Sequence, residues 1–446
     1  MEKFSNILDE KLASPMARLA EQRHLRAVRD GIIATLPLII VASMFLVIGF
    51  LPNQLPQDWG IAIWIKEHAG DILLPHRVSM FIMTLYAVFG IGYSLAKSYD
   101  LDGLSGAIIS ELAYLLTIVP QVGPAASEAV TNLANSNAEL SEYIAQVPQG
   151  WLLPMANLGS AGMFVGIISA IVAVEIYRIF MQKGFTIKMP PQVPESVARS
   201  FESLIPTAVV MLLFATISMW LKIDLHGMIG KLISPLISAS DTLPSVILIV
   251  FLDTFFWIFG IHGSSIVGTV ARPLWLVLID QNAQAFAAGE AIPNIAAEPF
   301  YQWFIYIGGS GATIGLVLLL LFRSKSTYGK TLGKTAIIPA IFNINEPVIF
   351  GAPIVLNPVL MIPFVFVPMV LSILAWIATN LGLISRVITV APWTLPGPIG
   401  AFFATGDIRA SIFNILMIIL AVIMYYPFFK IYDNKLYKEE YEELSK

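Results

Sequence analysis

Residues 335–358 read TAIIPAIFNINEPVIFGAPIVLNP, and the fold turns on how this stretch is read. It is apolar enough to lie in a bilayer, yet Asn343, Asn345 and Glu346 stand in its middle. Pro347, Gly351, Pro353 and Pro358 then forbid one smooth helix. A carboxylate at membrane depth costs about 3 kcal/mol on insertion scales. Broken backbone survives there only where protein buries it or where it lines a cavity. Carboxylate, paired amides and broken backbone therefore predict a polar binding site between half-helices. The bland alternative is a loop surfacing among the headgroups, but the apolar residues on both sides leave little room for such a turn.

Composition points the same way. The chain has 446 residues, 57% of them hydrophobic and 13% charged, with a mean hydropathy of +0.77. Soluble domains carry about 25% charged residues. The expected fold class is an all-α polytopic membrane protein. The formal net charge of −4 says little, since placement of charge matters more than its sum in a membrane, and no nucleic-acid partner is expected. The absence of cysteine excludes disulfides, thiolate metal sites and a cysteine nucleophile or phosphocysteine within this chain. The five histidines, His24, His68, His76, His226 and His262, are scattered without an HExxH pair, so no metal is expected. No Walker-type loop is present, so no nucleotide cofactor is expected and energy must come from elsewhere.

Residues 1–30 are charged and lack the apolar core of a cleavable signal sequence. Phe4, Ile7, Leu8, Leu12, Met16 and Leu19 recur at helical spacing, which predicts an amphipathic helix on the membrane surface. Arg18, Arg23, Arg26 and Arg29 precede the first span and place the N-terminus in the cytoplasm. Spans are expected over 31–50, 72–96, 103–119, 151–180, 201–221, 243–261, 267–279, 300–322, 357–382 and 408–429. Glu111, near the start of the third, is expected to reach water. Residues 121–149 and 281–299 read as external loops, and 223–237 as an amphipathic segment. The stretch 335–358 becomes a hairpin entered from the cytoplasm, and APWTLPGPIGAFFATG, residues 391–406, a second hairpin entered from outside. That makes about ten transmembrane helices and two re-entrant hairpins, with both termini inside. The proline-rich segment 189–206 is the linker. It separates an N-terminal membrane domain, 31–188, from a C-terminal membrane domain, 207–430, which leads to a charged cytoplasmic tail, 431–446.

The polar residues at depth in the second half form one constellation. His262 lies between Gly260 and Gly263, with Trp257 about one turn earlier, and Trp393 and Thr394 sit in the outer hairpin. Aromatic rings stack on the apolar faces of a sugar, while carboxylate and amide groups take its hydroxyls. Each residue has a plainer explanation. Trp257 and Trp393 fit interfacial anchors, His262 fits a satisfied histidine at a helix end, and Arg272 fits a cytoplasmic-edge charge better than a ligand. Only the joint pattern favours a sugar site.

The segments FNINEPVIFGAPIVLNP, FGIHGSS and APWTLPGPIGAFFATGD together resemble the membrane component, enzyme IIC, of the bacterial phosphotransferase system. More narrowly, they are similar to its lactose/cellobiose/diacetylchitobiose family. The resemblance runs nearly the whole chain. It implies a multi-pass protein of the bacterial cell membrane, a homodimer whose first half builds the interface and whose second half carries a disaccharide and moves as a body. It implies phosphorylation of the sugar 6-hydroxyl by a phosphocysteine on a separate IIB protein, itself supplied by IIA. Carried across, His262 and Glu346 match paired polar residues at the sugar, Asn343 and Asn345 its amides, and Trp257 and Trp393 its aromatic neighbours, with Thr394 adjacent. Glu346 and His262 would hold the hydroxyl in line, with His262 a candidate proton acceptor. Two rivals stay open: a proton-coupled sugar transporter using Glu346, and a membrane-embedded hydrolase using Glu346 and His262 as an acid–base pair.

Overall fold

The computed structural model describes residues 22–123, 130, 132–133, 137–146, 150–190, 192–355 and 357–444. These residues are mostly helical; their one sheet pairs Gln121–Val122 with Trp151–Leu152, antiparallel. Among them, six helices are long and apolar enough to cross a membrane: Arg23–Phe50, Ala69–Lys97, Ser160–Lys183, Val197–Trp220, Pro358–Asn380 and Ile408–Glu442. The helices Leu225–Ser240 and Leu243–Trp257 form a further apolar pair, bent by 78°. Residues 1–21 of the N-terminal surface helix and 124–129, 131, 134–136 and 147–149 of the 121–149 loop lie outside the described residues.

Contacts divide the chain into two compact units. One comprises Ala27–Leu36 and Val78–Ile233; the other holds Pro37–Arg77 and everything from Ser234 onward. The segment 189–206 falls within the first of these.

In the first unit, small residues let the helices Met83–Lys97, Gly103–Leu115 and Met163–Lys183 pack backbone to backbone. A Cβ on Gly106 would stand 2.4 Å from that of Ala96, and one on Gly92 would stand 2.3 Å from the Ser110 hydroxyl. Glu111, expected to reach water, is half-buried. One of its carboxylate oxygens is buried, without a partner among the described residues, because its helix is wedged between two others.

The second unit is organised by a core of Leu316, Leu320, Ala336, Ile349, Phe364 and Tyr425, contributed by five segments. Here the sequence reading needs a correction. Residues 300–322 are not one span. A short helix, Glu298–Phe304, gives way to a loop over 305–313, and the helix Ile314–Arg323 follows. Gly308, Gly309 and Gly311 adopt φ of 78°, 98° and 84°, and Ala312 follows at 54°. Left-handed backbone of this kind ends a helix and favours glycine. The close approaches require glycine as well: a Cβ on Gly309 would come 2.5 Å from the Asn345 side chain. The segments 267–279 and 281–299 also redistribute. One 26-residue helix, Gly263–Ala288, covers the former and the start of the latter. The charged tail continues the last helix as far as Leu444.

Candidate sugar site

The stretch 335–358 folds as helix, break and short helix. The helix Thr327–Ile341 carries Pro339 near its end and stops at Phe342. Asn343 turns the chain at φ 60°, a left-handed conformation that asparagine tolerates better than most residues. Glu346 opens the short helix Glu346–Gly351, with Pro347 in its first turn, where a missing N–H costs nothing. Asn357 then caps the long helix Pro358–Asn380 by accepting from the N–H of Val359.

The two amides in the break bind the protein's own backbone. The Asn343 oxygen accepts from the Gly308 N–H at 3.0 Å, and its Nδ2 donates to the carbonyls of Trp393 at 2.8 Å and Leu395 at 3.0 Å. The Asn345 Nδ2 donates to the Ser310 carbonyl at 2.8 Å. Both side chains are buried. Glu346 is half-buried, and its carboxylate has no hydrogen-bond or ion-pair partner among the described residues.

His262 is the N-cap of Gly263–Ala288; its Nδ1 accepts from the Ser265 N–H at 3.2 Å. Its ring lies 4.6 Å from that of Trp257, tilted by 46°. Trp257 is only 4% exposed, and its Nε1 is buried without a partner among the described residues. Beneath this turn sits Asp253, 1% exposed, whose Oδ1 accepts from the Ser264 hydroxyl at 2.7 Å. The Ser264 hydroxyl also lies 3.0 Å from that of Ser310.

Ser310 is therefore the node of the site. Its hydroxyl holds the segment that bears His262, and its carbonyl holds the residue before Glu346. Asn343 draws in the third segment, where Trp393 (49% exposed) and Thr394 face outward. That segment is closed by Asp407, which accepts from the N–H groups of Ser385 and Arg409, each at 2.9 Å, and from the Arg409 guanidinium. Burial pushes the Asp407 carboxyl up, but the hydrogen bonds from Arg409 and Ser385 outweigh it and hold it below the usual carboxylate range. Arg272 is engaged by Glu298 at 2.7 Å. Among the described residues, no group of three or more His, Asp or Glu is placed to hold a metal ion.

Two parts of this arrangement escaped the sequence reading. The GGSG loop hid inside an apparent span, although its glycine density was the available signal. Asp253 was passed over in an apolar helix, where a lone carboxylate is itself a signal.

Residues 29–368 match the family described as phosphotransferase system, EIIC. The chain belongs to that EIIC family. A cellobiose-specific EIIC component from Geobacillus stearothermophilus is 40% identical over 450 residues, covering 99% of this chain and 96% of that protein. The lichenan permease IIC component of Bacillus subtilis (strain 168) is 38% identical over 447 residues, with 99% and 96% covered. The crystal structure of the transporter ChbC, the IIC component from the N,N'-diacetylchitobiose-specific phosphotransferase system, superposes with a TM-score of 0.85 at 36% identity. That match covers 97% of this chain and 99% of ChbC. The EIIC chain is accordingly a multi-pass membrane protein.

Proposed function

We propose that this EIIC chain binds a β-linked disaccharide of the cellobiose, diacetylchitobiose or lactose type and carries it inward across the bacterial cell membrane. It would present the sugar 6-hydroxyl to the phosphocysteine of a separate IIB protein, which IIA recharges. The observation that carries this reading is the Glu346 carboxylate, unpartnered among the described residues and held through Ser310 to the segment of His262. A half-buried carboxylate with free acceptor oxygens binds sugar hydroxyls through charge-assisted hydrogen bonds. The exposed Trp393 ring offers a stacking face for a pyranose. Because the phosphoryl-transfer transition state is loose, holding the hydroxyl in line is most of what this chain must do.

In this reading Glu346, His262, Trp393 and Thr394 meet the sugar directly. Asn343 and Asn345 shape the site through the backbone, and Trp257 supports His262. About ten crossings, two re-entrant hairpins and cytoplasmic termini complete the proposed topology. A homodimer held by residues 31–188 would leave 207–430 to move with the sugar, with 189–206 as the link.

The test is uptake of labelled cellobiose into proteoliposomes loaded with phosphorylated IIB. The sugar should accumulate as its phosphate with no ion gradient and be indifferent to a protonophore. Uptake that follows a proton gradient, without phosphorylation, would favour the secondary-transporter reading. Hydrolysis in detergent without IIB would favour the hydrolase.

A further inference from the structure

A neutral imidazole protonates one ring nitrogen only, and which one is decided by what the other accepts. His262 Nδ1 lies 3.2 Å from the backbone N–H of Ser265 and 3.0 Å from the Ser265 hydroxyl. The hydroxyl can rotate to donate or accept, but a backbone N–H only donates. That N–H is shared between Nδ1 and the His262 carbonyl, 3.2 Å away, and both are acceptors when the ring proton sits on Nε2. A proton on Nδ1 would meet the Ser265 N–H head-on. The Trp257 ring lies 4.6 Å from it, tilted by 46°.

We infer that Ser265 fixes His262 as a hydrogen-bond donor through Nε2, so that Glu346, not His262, takes the proton of the sugar hydroxyl. The inference rests on the phosphoryl-transfer reading above. In the step, the sugar oxygen bonds to phosphorus as the P–S bond of the IIB phosphocysteine breaks. Sulfur leaves with the electron pair as thiolate, and the hydroxyl proton passes to a Glu346 carboxylate oxygen. The Nε2–H of His262 donates to a lone pair of the same sugar oxygen and aims the other at phosphorus. Such a donor weakens the nucleophile, a small penalty where the transition state is loose and positioning dominates. Ser265 is thus a positioning residue, acting through His262.

The tautomer is read directly by nitrogen NMR of the wild-type protein labelled in histidine, in its detergent-solubilised form. His262 should show a protonated Nε2 and an unprotonated Nδ1; the opposite assignment overturns the inference. Ser265→Pro removes the N–H and should produce a mixture of tautomers, so an unchanged spectrum would dismiss Ser265 from the role. Transfer from phosphorylated IIB to cellobiose supplies the second readout. His262→Gln places an amide N–H near Nε2 without a basic nitrogen and should stay within about tenfold of the wild-type rate. His262→Asn keeps the cap acceptor but lacks that donor, and should fall well below it. A general base contributes roughly 10²–10⁴-fold. Glu346→Gln should therefore lose that much at saturating sugar, whereas a loss of that size in His262→Gln would make His262 the base. Failure of the wild type itself to transfer phosphate would sink the functional reading, while the spectrum would still decide the tautomer.

Discussion

Asn343 and Asn345 are buried with their amides bonded to the backbone of distant segments, whereas Glu346, the next residue, keeps a half-buried carboxylate with no hydrogen-bond or ion-pair partner among the described residues. All three are polar and sit within four residues of one another. Their difference divides the stretch into scaffold and recognition. The amides complete the hydrogen bonds of a loop that cannot complete its own, as buried backbone groups must be completed. The carboxylate is the group left over for something that arrives.

That division is open to attack. Asn343→Ala strands the Gly308 N–H, frees two carbonyls and sets alanine at a left-handed φ, so it should destabilise the fold by about 3 kcal/mol. Thermal unfolding in detergent would show this. A wild-type unfolding midpoint combined with lost sugar binding would instead make Asn343 a ligand. Glu346→Gln should do the reverse, lowering sugar affinity by about 2 kcal/mol through loss of charge-assisted bonds. Calorimetry with cellobiose checks the affinity, and the unfolding midpoint should not move. Trp393→Ala should weaken a disaccharide by about 1 kcal/mol more than a monosaccharide if the exposed ring covers the second sugar. Equal losses for both ligands would place that ring elsewhere.

The smallest effect belongs to Asp407. Its folded carboxyl titrates below the usual range, so its contribution is fully present above an ordinary carboxylate pKa of about 4 and fades as pH falls through the lower folded value. Asp407→Asn should flatten the acid side of the unfolding profile slightly, since the Arg409 partner is largely exposed. Identical acid profiles for the two proteins would remove Asp407 from the closure of its segment.

The helix–break–helix of residues 335–358 was legible because Pro347, Gly351 and Pro353 are local signals, and a carboxylate among apolar residues needs a reason wherever it occurs. The division of labour inside the break was not legible. The partners of Asn343 lie 35, 50 and 52 residues away, so nothing near it in the chain marks its amide as engaged. The loop over 305–313 was lost for another reason. Ile305, Ile307 and Ala312 keep its average apolar, and a hydropathy pattern cannot see that Gly308, Gly309 and Gly311 turn the backbone left-handed. Ser310 was invisible with it, and so was the link from Asp253 through Ser264 toward Asn345.

A structure of the protein with cellobiose bound tests the division most directly. A sugar hydroxyl should lie about 3 Å from a Glu346 oxygen, while the Asn343 amide keeps its bonds to the Trp393 and Leu395 carbonyls. A sugar hydroxyl seated on the Asn343 amide, with those two bonds broken and Glu346 bare, would contradict it.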